Sequence, residues 1–171
     1  MMRGEEIPLG LFKAAIDEAI VEGRRRQDEN DAKGRTKTFE AHPENRYISH
    51  IDGALCERAL WECVHPGEAW ITPVLGAPDV PPYDCCGRKV TEKMPDPHSL
   101  DLTIRPGNKD DRPLVLVVMI NPAEFLIAGY VDRLGDWKKK EYYWDNAPYP
   151  PTWLVRRYLL KKFPQGGKSH A

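Results

Sequence analysis

The chain has 171 residues, 41% of them hydrophobic and 30% charged, and its 25 Lys and Arg nearly balance 26 Asp and Glu. That length suits one globular domain with its own core, and the composition excludes disordered, fibrous and disulfide-stapled classes. A formal charge of −1 gives no global field towards DNA or an anionic membrane, and 16 prolines with 13 glycines argue against an all-helical bundle. The longest apolar run, Leu114 to Ile120, is strand-length and falls short of the ~20 residues of a membrane helix. No apolar leader stands in Met1 to Gly10, so the expected location is the cytoplasm, with no membrane partner.

In chain order, Pro8 suits a first helical turn, and Leu9, Phe12, Ile16 and Ile20 recur at helical spacing. Glu22 and Arg26 make a favourable i,i+4 pair near the end of this helix. The stretch Gln27 to Thr38 is polar and reads as a connector. A second helix is expected from Ser49, its N-cap, to Val64, and His65-Pro66-Gly67 stops it. Ile71 to Gly87 is punctuated by proline and glycine and reads as loop with short extended pieces.

From Lys89 onward the pattern is that of strands. Leu100, Leu102 and Ile104 alternate with Asp101, Thr103 and Arg105, the period of a half-buried strand. Leu114 to Ile120 reads as a central strand covered on both faces, Asn121-Pro122 turns the chain, and Phe125 to Val131 returns it. The expected architecture is α+β: an antiparallel-rich central sheet of about four strands with helices packed on it. Beyond Asp132, Lys138, Lys139 and Lys140 precede Tyr142, Tyr143 and Trp144, a basic-aromatic mixture that suits phosphates and bases as well as a solvated edge.

Glu57 is the most informative polar residue. Gly53, Ala54, Leu60, Trp61 and Val64 lie at −4, −3, +3, +4 and +7 from it, placing the carboxylate within an apolar stripe. Such a carboxylate needs an arginine, a metal ion or a proton as its partner. A second polar cluster comprises Asp79, Asp84 and the run Arg88-Lys89-Val90-Thr91-Glu92-Lys93. Acidic groups entering a strand with a lysine close behind suit metal-dependent phosphodiester hydrolysis. The four cysteines, Cys56, Cys63, Cys85 and Cys86, lack the spaced pairs of a zinc site and read as reduced thiols.

HIDGALCERALWECV, PPYDCCGRKV, LDLTIRPGNKDDRPLVLVV and EFLIAGYVD follow one another in the order of a family pattern. Together they resemble small phage-associated proteins of the PD-(D/E)XK restriction-endonuclease-like superfamily, over about residues 49 to 131. The resemblance implies a restriction-endonuclease-like core at 49–163, preceded by a helix and polar connector at 1–48 and followed by a flexible tail at 164–171. It implies a nuclease that hydrolyses DNA with Mg²⁺ or Mn²⁺. Glu57 and Asp84 would hold the metal, with Asp79 an alternative to Asp84, and Lys89 would act beside them. Arg88, Lys93, Lys138, Lys139 and Lys140 would hold phosphates. The chain departs from the family pattern after Asp84: Lys89 stands at the acidic or amide position and Thr91 at the basic one. Glu92 or Asp101 could replace the missing carboxylate. The alternative is a catalytically inactive module of the same fold that binds nucleic acid or protein.

Overall fold

The computed structural model describes residues 6–34, 43–71, 83–145 and 151–164. The elements run β1 (Ile7–Gly10), α1 (Lys13–Ala32), α2 (Pro43–Val64), β2 (Asp84–Lys89), β3 (Leu102–Ile104), β4 (Leu114–Asn121), β5 (Glu124–Val131), β6 (Tyr143–Trp144) and β7 (Thr152–Val155). The protein is α+β, as its patterning implies.

Four strands form a mixed sheet in the order β1-β5-β4-β2, and three more form a smaller antiparallel sheet in the order β3-β7-β6. The apolar run Leu114 to Met119 is buried throughout and occupies an interior strand, because both faces of β4 are covered. One face carries Val115, Val117 and Met119 into a core shared with α1 and α2. The other carries Leu114, Leu116 and Val118 into a second core closed by Leu102, Ile104 and Val155 of the small sheet.

Several local expectations shift. Pro8 lies in β1, where it pairs with Leu126 of β5, rather than in a helical turn. A terminal strand tolerates proline because its outward side needs no donor. Helix α1 therefore starts at Lys13 and continues through the polar stretch to Ala32. Ion pairs of Arg25 and Lys33 with Glu29 brace its last turns. Helix α2 begins at Pro43 instead of Ser49, which lies within the helix. Strand β3 leaves the main sheet for the small one, and β2 joins β4 in parallel, so the main sheet is not a pure meander.

The two helices meet closely. A Cβ on Gly23 would lie 2.5 Å from the Ile51 Cα, so the absence of a side chain there lets α1 and α2 touch through their backbones. A similar approach brings α2 onto β2, where a Cβ on Gly87 would stand 3.0 Å from the Cys56 Sγ. Buried Arg157 is paired with Glu6 and donates to the Pro97 and Leu100 carbonyls at 2.8 Å each, tying both ends of the described chain to one loop. Among the described residues no helix is long and apolar enough to cross a membrane.

Candidate functional site

A groove of about 370 Å³ lies where α2, β2 and β3 come together. Among the described residues both strands are terminal in their sheets, so the groove runs along two sheet edges. On α2 the residues Ser49, Asp52, Gly53 and Cys56 line it. They recur at i, i+3, i+4 and i+7, and so share one helical face. Gly53 has open space around it, which widens the groove at that turn.

Strand β2 supplies two cations. Lys89 reaches back to α2 and donates to Asp52 Oδ2 at 2.7 Å. Arg88 points the other way and donates through Nη1 to the Asp101 carbonyl at 2.9 Å, bridging the two sheets. Arg105, just beyond β3, is exposed and adds a third cation, its backbone fixed by N–H donation to Asn108 Oδ1 at 2.7 Å. Of the residues lining the groove, Arg88, Lys89 and Arg105 are cationic and Asp52 alone is acidic. The Cys56 thiol lies below, nearly fully buried, and burial pushes its pKa far above the ordinary range, so it is a packed thiol and not a nucleophile.

Glu57 sits on the part of α2 that turns towards α1. Arg26 grips it with two hydrogen bonds, Nη1 to Oε1 at 3.1 Å and Nη2 to Oε2 at 2.5 Å. Arg26 also donates to Glu22 at 2.9 Å, and Glu22 accepts from Arg25 at 2.7 Å. Burial disfavours the Arg26 charge, but Glu57 and Glu22 more than compensate, and its pKa is raised. Of the three partners that an acid in an apolar stripe could take, the fold supplies an arginine.

Asp84, Cys86 and Arg88 alternate onto the β2 face that looks towards β3, where the Cys86 Sγ lies 3.6 Å from Thr103 Oγ1. Asp84 sits at the far end of that strand with Arg112 at 3.5 Å. Gly87, between them, faces α2. Glu57 and Asp84 thus lie on opposite sides of β2 and do not converge, while Lys89 joins neither. Asp79 lies outside the described residues. Glu92 and Lys93 are exposed on the loop after β2, and Asp101 accepts from Arg156 and from the Arg157 backbone. Lys138 is engaged by the Asn108 carbonyl and Asp110, whereas Lys139 and Lys140 are exposed. A divalent ion of the kind that the family resemblance implies does not fit Glu57 and Asp84 as they stand. Among the described residues no three His, Cys, Asp or Glu side chains are grouped to hold a metal.

The sequence reading passed over Asp52, Ser49, Arg105 and Asn108. The signal for the first two was present, since Ser49, Asp52, Gly53 and Cys56 form a small and polar stripe at helical spacing. No protein-family model, curated protein or solved structure matches the chain, so its resemblance to the restriction-endonuclease-like superfamily rests on the sequence motifs.

Proposed function

We propose that the chain binds nucleic acid, with DNA the expected partner, through the groove beside β2, and that it holds the phosphate backbone without cutting it. The supporting observation is the charge of the groove: Arg88, Lys89 and Arg105 meet a single carboxylate, Asp52, along two sheet edges. Guanidinium groups suit phosphate oxygens because several N–H donors lie in one plane. The near-zero net charge of the whole chain favours local binding over general adhesion. Glu57 and Asp84, the two carboxylates that the resemblance assigns to a metal, each have an arginine partner, Arg26 and Arg112.

Binding to a labelled oligonucleotide, followed by fluorescence anisotropy across a salt series, tests this reading. With Lys89 held by Asp52, two cation–phosphate contacts, at Arg88 and Arg105, correspond to a log–log slope of about −1.4 to −1.8, and replacing Arg105 by alanine reduces its magnitude by about 0.7 to 0.9. An affinity unchanged by Arg88→Ala combined with Arg105→Ala would overturn the groove as the binding site. Incubation with DNA and Mg²⁺ or Mn²⁺ tests the other half. Cleavage lost in folded Glu57→Gln and Asp84→Asn variants would restore a catalytic role to those acids.

A further inference from the structure

The small sheet presents one face to the second core and one away from it. Strand registers sort its residues: Ile104 and Trp153 lie side by side, as do Leu102 and Val155, and these turn towards the core, while Tyr143, opposite Trp153 on the edge strand, is exposed. The remaining residues, Thr103, Leu154, Thr152 and Trp144, therefore share the opposite face, on which Thr152 is buried and Trp144 exposed. Thr103 also lines the groove. Trp144 stands two strands away on that same face, ~10 Å across at ordinary strand spacing. Its side chain is 43% exposed, an unusual setting for a tryptophan, which folding would otherwise bury. The turn Lys140–Tyr142 leads directly into β6, so the exposed Lys139 and Lys140 precede the ring closely in the chain.

We infer that the ligand of the groove is a single strand and that Trp144 is its base-stacking platform. This rests on the nucleic-acid reading of the groove. Phosphates on Arg88 and Arg105 leave the bases of a flexible single strand free to turn across the small sheet and stack on the indole. A duplex keeps its bases stacked inside and exposes none to Trp144 without breaking a pair. Cationic tracking of the backbone combined with aromatic stacking is the physical recipe for binding single strands with little sequence preference.

The experiment compares a single-stranded oligonucleotide with the duplex of the same sequence, using wild type, Trp144→Ala, Trp144→Phe and the Arg88→Ala/Arg105→Ala double variant. Wild type is expected to bind the single strand more tightly and to show quenched tryptophan emission on binding. Trp144→Ala is expected to lose about 5- to 100-fold in single-strand affinity and most of the quenching, with duplex affinity unchanged. Trp144→Phe is expected to regain much of the affinity, because a ring is restored. If Trp144→Ala and wild type bind the single strand equally while the arginine variant binds poorly, the stacking inference falls and the groove stands. A wild-type preference for duplex also overturns the inference. If the arginine variant matches wild type on both ligands, or wild type binds neither, the groove reading falls and the inference with it. Thermal melts of both Trp144 variants check that an exposed ring was removed from an intact fold.

Discussion

The Arg26–Glu57 pair decides between a structural and a catalytic role for the acid, and its replacement gives opposite results in the two cases. The side chains retain 19% and 13% of their exposure, so both charges are largely withdrawn from water. Breaking a buried pair by removing one partner costs about 3–5 kcal/mol when the other charge is left uncompensated. Glu57→Gln should cost less than that. The amide keeps one acceptor for Arg26, and the guanidinium keeps Glu22 at 2.9 Å. An expected loss of about 2 kcal/mol corresponds to a fall of roughly 4–8 °C in melting temperature for a chain of this length. Removing both charges with well-packed apolar residues, as in Arg26→Met with Glu57→Met, should recover part of the loss, because the desolvation of both ions is then avoided while buried Glu22 loses Arg26 and keeps Arg25. Urea titrations of Arg26→Met, Glu57→Met and the double variant close the cycle and yield the coupling directly. If Glu57→Gln leaves the midpoint unchanged and abolishes a Mg²⁺-dependent cleavage, the pair is not structural and the reasoning fails.

Gly23→Ala places a Cβ 2.5 Å from the Ile51 Cα, and backbone atoms cannot yield as a flexible side chain can. Despite the better helix propensity of alanine, the variant should lose about 1–3 kcal/mol through overpacking, and an unchanged urea midpoint would show that α1 and α2 do not meet there. Glu22 supplies a pH dependence: burial raises its pKa, but hydrogen bonds from Arg25 and Arg26 outweigh this and hold it below the ordinary 4.5. The folded value lies below the unfolded one, so the stabilisation is complete above about pH 4.5 and is lost as the pH falls through the folded value. Melting temperatures measured downward from that point should fall less steeply in Glu22→Gln than in wild type, and parallel slopes would refute the assignment.

The α+β architecture was legible because its strongest signals are local. The apolar run from Leu114 calls for burial, which the structure gives it as far as Met119, with Ile120 exposed at the strand end, and the alternation through Leu102 and Ile104 identifies a strand whatever its neighbours are. Sheet membership was not legible, since it depends on pairing across distance. The same period-two pattern serves β3 in the small sheet as it would in the main one, and nothing in Asp84 to Lys89 announces a parallel partner. The start of α1 was misplaced because the helical spacing of Leu9 with Phe12, Ile16 and Ile20 is coincidental. Leu9 belongs to β1, and Phe12 is 81% exposed at the junction before the helix.

The site shows where reading one helix at a time stops. The pattern around Glu57 set an acid among mostly apolar positions and asked for a partner, although Gly53 of that stripe lines the polar groove instead. It could not choose among arginine, metal and proton, because that choice depends on what lies across from the helix. Arg26, 31 residues earlier in the chain, settles it, and it is brought there by the close crossing that Gly23 permits. With Glu57 held on the α1 side, the side of α2 that faces β2 is left to Asp52, whose carboxylate neutralises Lys89 and leaves Arg88 and Arg105 to set the sign of the groove. The basic character near β2 and the acid in the apolar stripe are therefore two separate features, placed on different faces of one helix. Each was visible in the sequence, and their separation is a property of the fold.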